Sequence, residues 1–315
     1  MSVNELLGAE ILVTGGTGSF GQTIVGMLLA RGATKVRILS RDEAKQDAMR
    51  DRLLSESHRL EFITGDVRDL NTVEMAMNGV RYVFHAAALK QVPNCERYPM
   101  EAIRTNTLGS ENVRLAALRC KPEAVVALST DKACSPINTM GLSKALMERI
   151  FLQERSGESR FVCVRYGNVI GSRGSVVPLF LDRIRQGRPI PITNPDMTRF
   201  LLCLPQAVET AMEAAVSGSH GELWVRKMPA ATIRALVEAV APPGCPTVVV
   251  GVRPGEKMHE VLVNEDEMRR AEDRGTHYVV GNRNTQLTGE YASNNAERLD
   301  LNALRELLRQ AEMIR

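Results

Sequence analysis

The sequence predicts an α/β protein: a doubly wound parallel sheet followed by a smaller C-terminal lobe. Short apolar runs alternate with helical patterns along the first half of the chain, as a parallel sheet with helices on both faces requires. The runs are continuously apolar, which is typical of strands buried on both faces. The predicted strands are Ile11–Val13, Val36–Leu39, Leu60–Ile63, Tyr82–Phe84, Ala124–Leu128 and Phe161–Arg165.

Helical patterns separate these strands, and the alternation ends after the sixth strand. The chain then becomes rich in Gly, Pro and Asn, which favours loops between short elements. A helix near Pro205–Ser217 and a strand near Glu222–Val225 are expected to return to the sheet. We therefore expect a sheet domain of residues 1–166 joined by 203–226, a lobe of residues 167–202 and 227–290, and a C-terminal helix in 291–315. The predicted helices are Ser19–Arg31, Asp42–Ser57, Leu70–Asn78, Pro99–Arg119 and Asn138–Ser156.

Composition narrows the classes of function. The 315 residues are 44% hydrophobic and carry a net charge of +3, with Lys and Arg scattered, so a nucleic-acid-binding protein is not indicated. The six cysteines have no CxxC or metal-ligand spacing, which favours reduced thiols in a cytoplasmic protein without a metal site. The N-terminal residues do not resemble a signal peptide, and no apolar run approaches the roughly 18 residues of a membrane span.

The turn after the first strand carries the strongest local motif. Glycines at 15, 18 and 21 fall between a strand and an amphipathic helix. Gly15 permits a tight turn, Gly18 a close approach to a pyrophosphate and Gly21 close helix–strand packing, as in Rossmann dinucleotide sites. A glycine-rich turn without a ligand is the alternative, but the strand–helix context favours a dinucleotide. The cofactor contacts predicted in this turn are Gly15, Thr17, Gly18, Ser19, Phe20 and Gly21.

The end of the second strand bears on the choice of cofactor. Ser40 and Arg41 stand where an acidic residue would favour a free ribose hydroxyl. A hydroxyl and a guanidinium suit a 2′-phosphate, so the prediction is NADP, with NAD less favoured. The alternative is that Arg41 is solvated and Asp42 binds the ribose.

The next two strand ends are also expected to contact the cofactor. Asp66 and Val67, after the third strand, are predicted to hold the adenine. Small residues after the fourth strand would let the backbone approach the cofactor, and they are Ala86, Ala87 and Ala88. His85 is interpreted as a hydrogen-bonded histidine at a strand end and not as a catalytic one.

The fifth strand ends in "LSTDKA", and the next helix carries "NTMGLSK". Thr130, Asp131 and Lys132 therefore emerge at the carboxyl edge of the sheet, beside the expected nicotinamide. Met140 and Lys144 lie one helical turn apart and share a face. The alternative for the Asp-Lys pair is an exposed salt bridge in a turn, and for Met140 a purely core position.

At this point the chain resembles a known family, the extended short-chain dehydrogenases/reductases. It is most similar to the inverting UDP-N-acetylglucosamine 4,6-dehydratases of bacterial polysaccharide biosynthesis. The resemblance runs over almost the whole chain, through "TGGTGSFG", "SRDE", "HAAALK", "TNTLGSENV", "LSTDKA", "VRYGNVIGSRGSVVP", "MTRF" and "RPGEKMHE". Met140 stands where the superfamily has its catalytic tyrosine, and a subset of these dehydratases carries methionine there.

The resemblance implies a reaction and its acid and base. Oxidation of C4 of the sugar makes the C5 proton acidic, water leaves from C6, and the hydride returns to C6. Asp131 is implied as the acid for the 6-hydroxyl group and Lys132 as the base at C5, with Lys144 on the nicotinamide ribose. A basic lysine must be neutral, and we expect burial, the positive nicotinamide and Lys144 to lower the pKa of Lys132. Thr130 is expected to bind the 4-hydroxyl group, because the thioether of Met140 cannot accept its proton. Lys132 or Lys144 would take that proton through Thr130 or through a water.

The resemblance also implies substrate contacts. Tyr166 and Gly167 are expected to border the nicotinamide. Asn106, also predicted as a cofactor contact, is expected to position a helix and a water near the site, with simple N-capping as the alternative. Arginines can clamp a diphosphate with two hydrogen bonds, which suits a UDP-sugar. The predicted substrate contacts are Lys90, Asn168, Arg173, Ser175, Arg199, Arg253 and Glu256.

The predicted activity is that of an NADP-dependent lyase, a UDP-N-acetylhexosamine 4,6-dehydratase that inverts C5 and assembles as a homo-oligomer. Two alternatives remain open on the sequence. One is a 4- or 5-epimerase of a related UDP-sugar, which has less need of the Asp-Lys pair. The other is a non-catalytic NADP-binding regulator in which Met140 marks lost chemistry.

Overall fold

The fold is described by a computed structural model that covers residues 6–153, 157–172 and 174–314. Its strands are β1 (Glu10–Thr14), β2 (Lys35–Ser40), β3 (Leu60–Thr64), β4 (Tyr82–His85), β5 (Ala124–Leu128), β6 (Arg160–Arg165), β7 (Asn168–Val169), β8 (Ile190–Ile192), β9 (Thr198–Leu202), β10 (Leu223–Arg226), β11 (Ala230–Thr232), β12 (Thr247–Val249), β13 (Val261–Val263), β14 (Ala271–Asp273), β15 (His277–Val280) and β16 (Tyr291–Ala292).

Its helices are α1 (Ser19–Ala30), α2 (Glu43–Arg52), α3 (Leu70–Met77), α4 (Val92–Arg97), α5 (Pro99–Ala102), α6 (Gly109–Cys120), α7 (Thr139–Leu152), α8 (Val176–Arg185), α9 (Leu204–Ser217), α10 (Ile233–Val240), α11 (Glu265–Met268) and α12 (Leu301–Gln310). No helix in the described ranges is long and apolar enough to cross a membrane.

The central sheet confirms the predicted fold class. Its nine strands run in the order β14-β15-β10-β6-β5-β4-β1-β2-β3. In this sheet the strands β3, β2, β1, β4, β5, β6 and β10 run parallel, and β15 and β14 add an antiparallel edge. The order 3-2-1-4-5-6 at the heart of the sheet is that of the dinucleotide-binding Rossmann fold. The carboxyl ends of β1 and β4 diverge at the point where the strand order reverses, and ligands bind at such points.

Three predicted helices differ in detail from the observed ones. Pro99–Arg119 is not one helix, because a π-helix at Ile103–Leu108 separates α5 from α6. The helix predicted at Asp42–Ser57 begins at Glu43, because Asp42 is its N-cap, and it ends at Arg52, where a 3₁₀ segment follows. Asn138 caps α7, which ends at Leu152, while residues 154–156 of that prediction lie outside the described ranges.

The C-terminal half divides between the sheet and a second hydrophobic core. As predicted, α9 and β10 return to the sheet. The prediction for 227–290 is wrong in one part, because residues 271–280 extend the sheet as β14 and β15. The second core lies between α8, α10 and α12, around Phe180, Leu236 and Leu304. Short apolar strands such as β15 have no local signal that tells a lobe strand from a sheet edge.

A buried ion cluster joins the end of β6 to α7 and α11. The guanidinium of Arg165 is 1% exposed, and its Nη2 lies 2.6 Å from Oε2 of Glu148 on α7. Its Nη1 lies 2.8 Å from Oε2 of Glu267 on α11 and donates to the carbonyl of Leu262 at 2.7 Å. Both carboxylates are satisfied by a bidentate guanidinium, the strongest geometry for such a pair. The cluster fixes the segment around β13 and α11 against the sheet.

Loss of the charge at Glu267 should destabilise the fold. Replacing Glu267 with Gln leaves the buried guanidinium with one carboxylate, and breaking a buried pair costs about 3 kcal/mol or more. We expect the free energy of unfolding, measured by urea denaturation, to fall by that amount. The control is Glu265→Gln, two residues earlier and exposed, which should change stability by less than about 0.5 kcal/mol. Equal stabilities of the two variants would contradict this prediction.

Candidate active site

A cleft of about 930 Å³ opens at the carboxyl edge of the sheet, between the sheet and the lobe. It gathers most of the site residues predicted from the sequence. Those that line it are Gly15, Thr17, Gly18, Ser19, Phe20, Gly21, Ser40, Arg41, Asp66, Val67, Ala86, Ala87, Ala88, Lys90, Thr130, Asp131, Lys132, Met140, Lys144, Tyr166, Gly167, Asn168, Ser175, Arg253 and Glu256.

The glycine turn has the shape that a pyrophosphate requires. Gly15 has a φ of +67°, and a Cβ there would lie 2.7 Å from the backbone nitrogen of Ala87. A Cβ on Gly21 would lie 2.4 Å from Gly16 Cα, so the helix could not approach the turn. Gly18, which has no side chain, is the N-cap of α1. The N-terminus of a helix beside a glycine turn is a common anion site, and this turn therefore fits a dinucleotide.

Hydroxyl and basic groups meet at the end of β2. Thr17 Oγ1 lies 2.7 Å from Ser40 Oγ, and Arg41 Nη1 lies 3.4 Å from Asp66 Oδ2. Burial raises the pKa of Asp66, but hydrogen bonds from Arg68 and the charge of Arg41 more than offset this, so its pKa is lowered. Asp42 accepts a hydrogen bond from the backbone of Lys45 at 3.0 Å as the cap of α2. This capping role explains Asp42 without a ribose.

His85 is a structural residue, as interpreted from the sequence. Its Nδ1 lies 2.7 Å from Thr14 Oγ1 and its Nε2 2.9 Å from Ser110 Oγ. Burial, with a smaller effect of the nearby Lys144 charge, lowers the pKa of His85 to about 3. The imidazole is therefore neutral at physiological pH, and its two nitrogens tie β4 to β1 and α6.

Asn106 does not line the cleft, which corrects its prediction as a cofactor contact. It lies in the π-helix, and its amide nitrogen donates to the carbonyl of Leu89 at 2.9 Å and to Ser143 Oγ at 3.0 Å. Its oxygen accepts from the Leu89 nitrogen at 2.8 Å, so it holds the loop after β4 against α7. Sequence reasoning missed its neighbour Thr105, which lines the cleft with a buried Oγ1 that has no hydrogen-bond partner among the described residues. A π-helix at this point fits the frequent placement of such turns at functional sites.

Asp131 and Lys132 follow β5 in a 3₁₀ turn that begins after Thr130. Asp131 is 1% exposed on its side chain, and its Oδ1 lies 3.0 Å from Lys132 Nζ. Thr130 Oγ1 donates to the same oxygen at 2.9 Å. The other carboxylate oxygen, Oδ2, is buried at the cleft without a hydrogen-bond partner in the described part of the chain. A ligand group is the natural partner for such an atom.

A second carboxylate, Glu260, faces Lys132 and changes the expectation for its pKa. Lys132 Nζ lies 3.2 Å from Glu260 Oε1, whose side chain is 3% exposed. Burial lowers the pKa of Lys132, but the charges of Asp131 and Glu260 outweigh it, so the pKa is raised. The expected lowering was wrong, because it took no account of Glu260. Glu260 is the last residue of the "RPGEKMHE" motif, and its acidic side chain was the sequence signal from which this contact could have been predicted.

Lys144 and Met140 lie on the cleft as predicted, one turn apart on α7. Lys144 Nζ donates to the carbonyl of Leu128 at 2.5 Å and contacts Met147 Sδ at 2.9 Å. Burial lowers the pKa of Lys144 to about 8, partly offset by Cys163 and Glu148. Met140 is buried and packs with Cys95 and Ala102 in a small apolar cluster.

The far wall of the cleft combines lobe and loop residues. Asn168 Oδ1 and Ser175 Oγ are buried and have no hydrogen-bond partner within the described ranges. Arg253 pairs loosely with Glu256, at 3.9 Å, and keeps an exposed guanidinium at the cleft. Asn138 donates to the carbonyl of Gly255 at 2.8 Å and so fixes this loop to the start of α7. This wall offers hydroxyl, amide and guanidinium groups to a polar, anionic ligand.

Two predicted substrate contacts are not observed on the cleft. Arg199 does not line it, since its guanidinium donates to the carbonyl of Thr198 at 2.7 Å and lies 3.8 Å from Glu260. Arg199 is thus a partner of Glu260 behind Lys132. Arg173 lies outside the described residues.

Comparisons with known proteins agree with this architecture. A family described as polysaccharide biosynthesis protein matches residues 11–282. A UDP-glucose 4-epimerase of Rickettsia rickettsii (strain Sheila Smith) is 45% identical over 324 residues, which cover 95% of this chain and 94% of that protein. The X-ray structure of Pen from Bacillus thuringiensis has a TM-score of 0.93 at 33% identity and covers 97% of this chain and 98% of that one.

A more distant structure shares the fold. DesIV, a dTDP-glucose 4,6-dehydratase from Streptomyces venezuelae solved with NAD and TYD bound, has a TM-score of 0.74 at 19% identity. The similarity covers 96% of this chain and 97% of DesIV. At that identity it supports the fold class and not a residue-by-residue function.

The buried His85 should make stability depend on pH. Its pKa is about 3 when folded, below the ordinary 6.5, so only the unfolded chain binds a proton between these values. The free energy of unfolding that neutral His85 contributes is fully present above pH 6.5. It is lost as the pH falls towards 3, by roughly 1.4 kcal/mol per pH unit. Urea denaturation from pH 7 to 5 should show a shallower loss for His85→Gln than for the wild type. Parallel pH profiles of the two proteins would contradict the assignment.

Proposed function

The chain belongs to the polysaccharide biosynthesis protein family, among the nucleotide-sugar dehydratases and epimerases, and on that premise we propose that it is a 4,6-dehydratase. The proposed substrate is UDP-N-acetylglucosamine or a close UDP-hexosamine, the proposed cofactor is NADP, and the proposed stereochemistry is inversion at C5. One observation carries the choice of reaction. An acid and a base, Asp131 and Lys132, lie 3.0 Å apart at the cleft, and the second oxygen of Asp131 has no partner in the described structure.

The glycine turn and the end of β2 are the groups that would hold the cofactor. The turn would bind the pyrophosphate, and Ser40 with Arg41 would bind a 2′-phosphate. Lys45 lines the same end of the cleft, where it forms an ion pair with Asp42. When bound, the cofactor supplies an oxidant that takes a hydride from C4 of the sugar and later returns it to C6.

The protein's own groups then handle protons. A ketone at C4 makes the C5 proton acidic, and Lys132 removes it in its neutral form. Asp131 protonates the departing 6-hydroxyl group, so one water leaves. Transfer of the Lys132 proton to Asp131 across their hydrogen bond produces the neutral amine and the neutral acid together. The raised pKa of Lys132 in the free protein is therefore compatible with its role as a base.

Other polar groups that line the cleft would supply the substrate contacts. Thr105, Asn168 and Ser175 each present a buried polar atom that lacks a partner among the described residues. These atoms suit the hydroxyl and amide groups of an N-acetylhexosamine. Arg253 would pair with the diphosphate, and its exposed guanidinium at the cleft supports this role.

The second candidate is a 4-epimerase, which the names of the curated relatives favour. Epimerisation at C4 needs a hydride that leaves one face of the sugar and returns to the other. It has no use for a second proton donor beside the C5 base, which is the feature that Asp131 provides. The two reactions differ in product mass by one water, so a single mass measurement separates them.

The dehydratase should convert UDP-N-acetylglucosamine to a product lighter by one water and, in heavy water, place deuterium at C5. Lys132→Ala should slow both changes by about 100-fold or more, the usual contribution of a general base. Mass spectrometry and proton NMR measure both. Lys121→Ala removes an exposed lysine that pairs with Glu158 and serves as the control. A product of unchanged mass would favour the epimerase instead.

Arg41 should determine the preference for NADP. Arg41→Ala removes a charged donor to the 2′-phosphate, which is worth about 1.5–3 kcal/mol, or roughly tenfold or more in affinity. The Kd of NADP, measured by calorimetry, should rise by that factor while the Kd of NAD stays within about twofold. Arg119→Ala, at an exposed arginine that pairs with Glu74, is the control. An equal effect on both cofactors would contradict a 2′-phosphate contact.

A further inference from the structure

Glu260 is a buried acidic residue that none of the roles above explains. It lies just before β13, and its side chain is 3% exposed. Its Oε1 lies 3.2 Å from Lys132 Nζ and 3.8 Å from Arg199 Nε. Its Oε2 is buried and has no hydrogen-bond partner in the described part of the chain. An incompletely paired carboxylate in the interior costs several kcal/mol of solvation, so its position calls for a reason.

The location of Glu260 is as informative as its contacts. It does not line the cleft, whereas Lys132 does. Lys132 Nζ thus lies between two carboxylates, that of Asp131 on the cleft side and that of Glu260 behind. A proton on the amine can move to either oxygen over an ordinary hydrogen-bond distance. Of the two charged groups described beside Glu260, Lys132 lines the cleft and Arg199 does not, so Lys132 is the link between Glu260 and a substrate.

We propose that Glu260 stores the proton of the 4-hydroxyl group, which Lys132 takes from the substrate and passes on. Glu260 would thereby fulfil the role of the tyrosine that Met140 replaces. The inference rests on the proposed dehydratase function and adds to it the path of one proton.

The proton count closes over one turnover. At rest one proton lies on Lys132, and on substrate binding it moves to Asp131. Lys132 takes the 4-hydroxyl proton as C4 is oxidised and passes it to Glu260, which leaves the amine neutral again. Lys132 then takes the C5 proton, and Asp131 gives its proton to the leaving hydroxyl group, which departs as water. As C6 receives the hydride, Lys132 returns a proton to C5, and the proton on Glu260 moves back to Lys132.

The other groups around Lys132 cannot store this proton. Asp131 already holds the proton that the 6-hydroxyl group needs. Arg199 has no acceptor atom, and Thr130 donates its hydroxyl to Asp131 at 2.9 Å. Lys144 directs its amine to the carbonyl of Leu128 and to Met147 Sδ, away from Lys132. Among the charged groups described around Lys132, Glu260 is the acceptor that remains.

The test compares Glu260→Gln with Glu260→Asp and with Glu265→Gln, the exposed control on α11. Glu260→Gln keeps the size of the side chain but cannot store a proton, so kcat for dehydration should fall about 100-fold. KM should stay within about threefold, because Glu260 does not line the cleft. Glu260→Asp restores a carboxylate and should recover at least about tenfold of the lost kcat, while Glu265→Gln should match the wild type.

A second readout does not depend on turnover. The nitrogen-15 signal of Lys132 Nζ can be titrated by NMR in the cofactor-free protein. Since the charge of Glu260 raises the pKa of Lys132, Glu260→Gln should lower that pKa, and Glu265→Gln should not. A role in packing alone would lower thermal stability in both Glu260 variants without recovery of kcat in Glu260→Asp.

The outcomes separate this inference from the function on which it rests. Wild-type protein that gives no lighter product from any UDP-sugar overturns the dehydratase and the inference together. Dehydration by the wild type with an unchanged kcat in Glu260→Gln overturns the inference alone. Should Glu260→Gln fail to fold, Glu260→Asp decides, since a kcat as low as that of Lys132→Ala would also overturn it.

Discussion

Arg165 ends β6 with its guanidinium buried between Glu148 of α7 and Glu267 of α11, and it also binds the carbonyl of Leu262. The first contact fixes the helix that carries Met140 and Lys144. The other two fix β13, which follows Glu260 directly, and α11 after it. A bidentate guanidinium between two carboxylates tolerates little displacement, because each pair needs two parallel N–H···O hydrogen bonds. The positions of α7 and of Glu260 therefore depend on one cation at the carboxyl end of β6.

Burial shifts the pKa values of two lysines around the cleft, and the groups that face each lysine decide whether its pKa is lowered or raised. Lys144 meets a carbonyl and a thioether, and its pKa falls to about 8. Lys132 is desolvated too, but two carboxylates face it and its pKa is raised. The same side chain thus has two behaviours within one site. A lysine whose pKa is lowered towards neutral pH suits a place beside a positively charged ring. A lysine between carboxylates suits the exchange of protons.

Local signals made much of this site predictable. The apolar strands, the glycine spacing and the residues that follow each strand are set by short-range patterns, and the sheet edge then brings Gly15, Arg41 and Asp131 together. What the sequence did not reveal depends on contacts between distant segments. Glu260 meets Lys132 across more than one hundred residues, and the π-helix that turns Thr105 to the cleft interrupts what reads as a single helical pattern. Arg199 was expected to contact the substrate, and its pairing with Glu260 is likewise a contact between distant segments.

The loss of a phenol at position 140 is compatible with retained chemistry because an acid-base site needs proton capacity more than a particular residue. A tyrosine would supply one acceptor on the cleft wall. Met140 removes it and contributes instead to an apolar cluster with Cys95 and Ala102. The Asp131–Lys132–Glu260 set has two carboxylates for one amine, with Arg199 balancing the additional negative charge. That set can hold a second proton without leaving a charge unpaired. When Glu260 is protonated and Asp131 has given its proton away, Lys132 remains paired with Asp131. In the proposed mechanism, Glu260 thus replaces the missing acceptor and is reached through Lys132.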